Sequence, residues 1–156
     1  MEHYIIDGYN VIHSIPSLHK TLLHDAESSR ELLIYSVSLL THLKKIRCTI
    51  VFDGTSPSES HKQSLHAPVH VLYSFPLSAD KKIKNMIEKS NSRSILVVIT
   101  SDREILTFAK SHLCQTHTSK YFANLLKETD PIITEKSETV LTPSQLNEWL
   151  KIFEEK

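Results

Sequence analysis

A chain of 156 residues, 40% hydrophobic and 23% charged, has the size and make-up of one soluble domain with an ordinary core. Lys plus Arg equals Asp plus Glu at 18 each, so no global positive field steers a polyanion toward it; any nucleic acid must be held by a local patch, a metal ion or a larger assembly. No apolar run approaches the roughly 18 residues that cross a bilayer, and Met1-Glu2-His3 enters an apolar strand without signal-peptide features, so the expected location is the cytoplasm.

Apolar runs alternate with helical patterns, the rhythm of an α/β domain with a mainly parallel sheet. Tyr4 to Ile6 reads as the first strand. A polar-rich loop with Pro16 leads to a helix from near Ser28, where Ser28 and Glu31 have capping-box spacing and Leu33, Val37, Leu40 and Leu43 form the buried face. Cys48 to Phe52 is a second strand of the kind a doubly covered sheet contains. Residues 54–67 read as a polar loop or short helix, and Val69 to Tyr73 as a third strand. A helix from about Ser78 buries Ala79, Ile83, Met86 and Ile87. Ser94 to Ile99 is the best-marked strand, and the helix after it sets Ile105, Leu106, Ala109 and Leu113 on one side. A short strand near Cys114 to His117 precedes a helix bearing Tyr121, Phe122, Leu125 and Leu126. Residues 130–141 read as irregular, with Asp130-Pro131 as a turn. Thr142, Pro143 and Gln145 then open a last helix, about 142–154, whose stripe is Leu146, Trp149, Leu150 and Phe153. The expectation is a single domain over 1–156 with its core at about 3–128.

Cys48 and Cys114 are far apart and form no CxxC pair, so both are expected as reduced core thiols. The 10 histidines are scattered and offer no ligand pair on a recognisable helix or strand, which disfavours a histidine metal site.

The informative residues are four aspartates at the ends of elements. Asp7 follows the first strand in Ile6-Asp7-Gly8-Tyr9-Asn10. Asp53 follows the second in Phe52-Asp53-Gly54. Asp80 opens a helix in Ser78-Ala79-Asp80, and Asp102 opens another in Thr100-Ser101-Asp102. In an open parallel sheet, strand C-termini and the helix starts after them line one edge, and that edge holds the ligand crevice. Each acid alone has a structural role open to it, as a turn residue or at the positive end of a helix dipole, with Ser78 and Ser101 as N-caps and Ser101 to Glu104 as a capping box. As a set they point further. The only two glycines, Gly8 and Gly54, each follow one of these aspartates, where the backbone must turn sharply or approach a ligand. Clustered carboxylates repel one another unless a cation neutralises them, and oxygen-only donors favour Mg²⁺ or Mn²⁺.

The segments Asp7-Gly8-Tyr9-Asn10-Val11-Ile12, Val51-Phe52-Asp53-Gly54, Ser78-Ala79-Asp80 and Thr100-Ser101-Asp102 resemble, in order and spacing, the motifs of NYN-domain proteins, in particular the YacP-like branch of the PIN-like nucleases. The similarity covers roughly residues 3 to 128. It implies a PIN-like three-layer fold with a central, mainly parallel sheet flanked by helices. It further implies a metal-dependent site that cleaves RNA, acting on mRNA and in some members on mRNA at the ribosome. Leu77 and Ser78 stand where family members often carry a further acid.

The mechanism expected is phosphodiester hydrolysis with Mg²⁺ or Mn²⁺. Asp7, Asp80 and Asp102 would hold metal, and Asp53 would be a ligand or a support for one. Asn10 could orient Asp7, touch substrate or serve only as a turn residue. Thr100, Ser101, Lys81, Lys82 and Lys84 are candidate substrate contacts, with a solvated helix face as the alternative for the lysines. Two rivals remain. One is a catalytically silent RNA- or ribosome-binding module of the same fold. The other is a receiver- or phosphatase-like protein with Asp53 as acceptor, which lacks a suitable Lys at a later strand end. A P-loop or dinucleotide fingerprint is excluded, because two isolated glycines build neither.

Overall fold

The computed structural model describes residues 1–57 and 69–134. In chain order the elements are β1 (His3–Asp7), α1 (Gly8–His13), α2 (Pro16–His24), α3 (Ala26–Lys44), β2 (Arg47–Phe52), β3 (Val69–Tyr73), α4 (Ala79–Lys89), a 3-10 turn (Arg93–Ile95), β4 (Leu96–Ile99), α5 (Arg103–Ser111), β5 (Gln115–His117), α6 (Ser119–Thr129) and α7 (Pro131–Thr134). The strands form one sheet in the order β3-β2-β1-β4-β5, and every pairing is parallel.

Alternation along the central strands divides the interior into two layers. Tyr4 and Ile6 of β1, Cys48, Ile50 and Phe52 of β2, and Val97 and Ile99 of β4 face a large cluster built with α1, α2, α3 and α6. Ile5, Val51, Leu96 and Val98 face a smaller cluster with Ala79, Ile83 and Ile87 of α4 and Ile105 and Ala109 of α5. Burial on both faces explains why these strands read as unbroken apolar runs. The result is the three-layer α/β arrangement expected, with a sheet wholly rather than mainly parallel.

Several expectations about helices need correction. The loop expected around Pro16 is two helices. Pro16 opens α2 at a position that needs no N–H, and Val11, Ile12 and Leu18 are buried. Helix α3 begins earlier than Ser28, because Asp25 is its N-cap: the Asp25 carboxylate accepts the Ser28 backbone N–H at 3.2 Å and the Ser28 hydroxyl at 2.7 Å. Leu33, Val37 and Leu40 are buried as expected, whereas Leu43 in the last turn of α3, Leu113 beyond α5 and Tyr121 in the first turn of α6 are exposed. All three stand at or just beyond helix ends. Ser94 and Ile95 belong to the 3-10 turn rather than to β4, and residues 131–134 are helical rather than irregular. The helix expected at about 142–154 and most of the loop expected at 54–67 lie outside the described residues. Both cysteines are free and buried, and burial pushes the Cys48 thiol up to about 12.

The two Asp-Gly glycines serve different ends. At Gly8 a Cβ would lie 2.5 Å from two ring carbons of Phe52 and 3.0 Å from a methyl of Ile50, so α1 leaves the sheet at a distance only hydrogen allows. That close approach is to the core, not to a ligand. Gly54 has φ +105°, a left-handed turn away from β2 that L side chains rarely adopt.

Candidate active site

Because all five strands run parallel, the C-terminal ends of β1, β2 and β4 and the helix starts after them share one edge. The chain passes from β1 to β2 and β3 on one side and returns to β4 and β5 on the other. The gap between the ends of β1 and β4 is therefore the topological switch point, where α/β sheets open a crevice. Asp7 ends β1 at one side of it and Thr100 follows β4 at the other.

These two residues are joined. Thr100 Oγ1 lies 3.0 Å from Asp7 Oδ2 and accepts the Asp102 backbone N–H at 3.1 Å. The Thr100 hydroxyl has a single proton, so it donates to Asp7 and accepts from Asp102, which fixes the direction of the chain of bonds. Asp7 is only 8% exposed. Burial raises its carboxyl to about 6; the Thr100 hydroxyl pulls against that rise, and the negative charges of Asp80 and Asp102 add to it.

Asp80 lies in the first turn of α4 and Asp102 is the N-cap of α5. Asp80 is also pushed above the usual carboxylate range, by burial and then by the charge of Asp102, with Lys84 opposing and Glu104 and Asp53 adding smaller contributions. Three acids expected to converge are thus within one another's field. Asp102 Oδ1 accepts the backbone N–H groups of Glu104 at 2.8 Å and Ile105 at 3.3 Å. Asp102, not Ser101, therefore caps α5, while Ser78 caps α4 as expected. Asp53 is committed differently. Its Oδ1 accepts the Ser74 hydroxyl and the Ala79 backbone N–H, each at 3.1 Å, tying the end of β2 to the residue after β3 and to the start of α4.

Asn10 and Ser101 belong to a second network. Asn10 Oδ1 accepts the Ser101 backbone N–H at 2.9 Å and the Ser119 hydroxyl at 2.5 Å, and Ser101 Oγ accepts the Ser119 backbone N–H at 3.2 Å. With both lone pairs of Oδ1 occupied, the Asn10 amide orientation is fixed and only its NH₂ remains to be offered elsewhere. The network pins α1, the β4–α5 loop and the start of α6 together around the switch point. Ser74 and Ser119 were not singled out from sequence. Ser119 sits beside Thr118, the N-cap of α6, and carries no local sign of a partner 109 residues away.

The lysines separate. Lys81 is exposed and Lys82 half-buried on α4. Lys84 Nζ pairs with Glu104 Oε1 at 2.6 Å and lies 5.5 Å from the centre of the Phe108 ring. Between α4 and α5 runs an open groove of about 510 Å³, lined by Lys84, Arg103, Glu104, Thr107, Phe108 and Ser111.

Among the described residues, no group of three or more His, Cys, Asp or Glu side chains is gathered closely enough to hold a metal ion as placed. The donor set nonetheless suits a hard divalent cation. It is all oxygen, its charges oppose one another, and Mg²⁺ needs only one or two carboxylates because it keeps several waters.

An all-parallel sheet in this order, with carboxylates along the edge of its switch point, is an arrangement that a PIN-like nuclease fold has. The chain belongs to the YacP-like NYN domain family, whose model matches residues 4–153. Among solved structures it is similar to Rae1 (YacP) from Bacillus subtilis, with a TM-score of 0.65 and 21% identity over 99% of this chain and 90% of that one. A tryptophan-to-leucine mutant of Rae1 gives a TM-score of 0.68 and 20% identity over 97% of this chain and 91% of that one. No curated protein matches in sequence.

Proposed function

We propose that this protein is a metal-dependent endoribonuclease that hydrolyses phosphodiester bonds in single-stranded RNA, with mRNA, including mRNA held at the ribosome, as its substrate. The observation that carries this reading is the buried Asp7 at the switch point, hydrogen-bonded to Thr100 and lying in the negative field of Asp80 and Asp102. NYN nuclease domains generally use divalent metals, and the family implies an RNA substrate.

In this reading Asp7, Asp80 and Asp102 would hold Mg²⁺ or Mn²⁺, directly or through water. Such an ion supplies charge stabilisation at the phosphate oxygens and makes a water more acidic. The chain's own residues arrange the rest. Thr100 orients the Asp7 carboxylate through its one proton. Asp53 acts by fixing where α4 begins, and so where Asp80 stands. Asn10 and Ser101 hold the β4–α5 loop, and with it Asp102, against α1. Of the three lysines closest in sequence to Asp80, Lys81 and Lys82 are left to meet phosphate, since Lys84 is paired with Glu104.

The lack of a preassembled three-ligand group among the described residues favours a second reading, a catalytically silent RNA- or ribosome-binding module. One experiment separates the two. A mixed single-stranded RNA pool is incubated with the protein in Mn²⁺, Mg²⁺ or EDTA, with and without ribosomes, comparing wild type with Asp7→Asn. Metal-dependent cleavage lost in the variant is the expected result. Folded wild-type protein that cuts nothing in any arm would leave the silent module standing.

A further inference from the structure

An electroneutral chain with an acidic crevice still has to hold a polyanion, and beside Lys81 and Lys82 the described residues offer a further cation suited to that task. Arg30, on α3, is half-buried, and its Nη1 donates to the phenol oxygen of Tyr9 at 3.0 Å. Tyr9 is two residues past Asp7, in the first turn of α1. Its ring packs on Phe52 with centroids 5.1 Å apart, and Phe52 packs on Tyr73 at 5.7 Å. Phe52 precedes Asp53. Tyr73 ends β3 and precedes Ser74, the partner of Asp53. All three rings therefore sit at the edge that carries the acids, on its β2–β3 side.

Guanidinium burial is normally offset by a carboxylate in a bidentate pair. Among the described residues Arg30 forms no such pair. Glu27, one turn back on α3, and Asp25, the N-cap of that helix, add attraction from a distance, and the phenols of Tyr9 and Tyr73 lie beside the guanidinium. A phenol accepts a hydrogen bond and leaves the positive charge in place. A guanidinium has five donors, so an arginine held by phenols keeps both its charge and donors for an anion.

We propose that Arg30 is a phosphate-binding residue for RNA, with Tyr9 and Tyr73 as positioning residues that hold its guanidinium at the β3 side of the acidic crevice. The ligand class is a phosphodiester of the single-stranded substrate, outside the scissile position. This inference rests on the proposed function for its substrate, but RNA binding can be read without cleavage.

The test uses the full chain in an Asp7→Asn background with EDTA, and a fluorescein-labelled single-stranded RNA of mixed sequence. Affinity is measured by anisotropy across a KCl series. Arg30→Gln is expected to weaken binding about tenfold and to reduce the salt slope by about 1. Arg30→Lys should keep most of the slope while losing part of the affinity, because the charge survives and the fork geometry does not. If Arg30→Gln does not fold by circular dichroism, Tyr9→Phe with Tyr73→Phe replaces it, and several-fold weaker binding by that double variant is expected. Unchanged affinity and slope in a folded Arg30→Gln, or unchanged affinity in the double variant where it replaces Arg30→Gln, would overturn the assignment. Cleavage by the otherwise wild-type chain in Mn²⁺ is measured in parallel. Cleavage together with Arg30-independent binding defeats this inference alone, whereas Arg30-dependent binding without any cleavage defeats the nuclease reading and leaves this one in place.

Discussion

Burial holds the Asp7 carboxyl at about 6, against 3.8 for an unperturbed aspartate. The folded chain thus binds this proton more tightly than the unfolded one, so Asp7 lowers stability progressively as pH rises from about 4 to about 6. Two units correspond to about 3 kcal/mol in the absence of a cation. Asp7→Asn removes the charge and keeps an acceptor for Thr100. Urea melts in EDTA should show the variant more stable than wild type by about 1–3 kcal/mol at pH 7.5 and near equal at pH 4. An equal loss of stability at both pH values would contradict the placement of Asp7. Metal binding should run the opposite way, strengthening as pH rises toward 6, because a cation competes with the proton on Asp7. At Gly8 the limit is space rather than charge. Gly8→Ala puts a methyl into the Phe52 ring, and a loss of about 1–3 kcal/mol is expected by thermal or urea denaturation.

At the scale of elements, the site is assembled by bonds between segments remote in sequence. Ser119 joins α6 to Asn10 of α1 and to Ser101 in the β4–α5 loop. Ser119→Ala leaves Asn10 Oδ1 with one partner while the backbone bond to Ser101 survives, so a cost of about 1–2 kcal/mol is expected. Turnover should fall more than this modest destabilisation explains, because the loop positions Asp102. Single-turnover cleavage at saturating RNA would expose that difference, and wild-type rates in Ser119→Ala would argue that the loop needs no such tie. Helix capping was legible here only in part. Ser78 caps α4 as its spacing indicated, whereas Asp102 displaced Ser101 and Asp25 displaced Ser28. In both cases an aspartate near the expected cap is the one whose carboxylate accepts the helix N–H groups, and the serine hydroxyl is turned to another partner.

Across the whole molecule, the opposed carboxylates predict a dependence on divalent ions that needs no substrate to be seen. Mn²⁺ at one hundred times its dissociation constant should stabilise the wild type by about 2.7 kcal/mol, several degrees in Tm for a domain of this size. EDTA should reverse the shift, and Asp7→Asn should show little of it. Differential scanning fluorimetry reads this directly; equal shifts in wild type and variant would place the ion elsewhere.

Sequence alone determined the alternation of strands and helices, the doubly buried β1, β2 and β4, and the four aspartates at element ends. Each of those is a local property: an apolar run of strand length, a period of three to four, an acid beside a glycine. The residues bearing the resemblance lay within such segments, which is why the family was legible. Tertiary structure alone decided which neighbours each side chain has. It committed Asp53 to Ser74 and Ala79, gave Asn10 two donors from β4 and α6 territory, set Gly8 against Phe52, and brought Arg30 to the phenol of Tyr9. Those pairings depend on the order β3-β2-β1-β4-β5, which brings residues tens of positions apart to a common edge. Hydrophobic periodicity says which face of an element is buried, but hydrogen bonds are directional and pairwise, and only the packed arrangement fixes their partners.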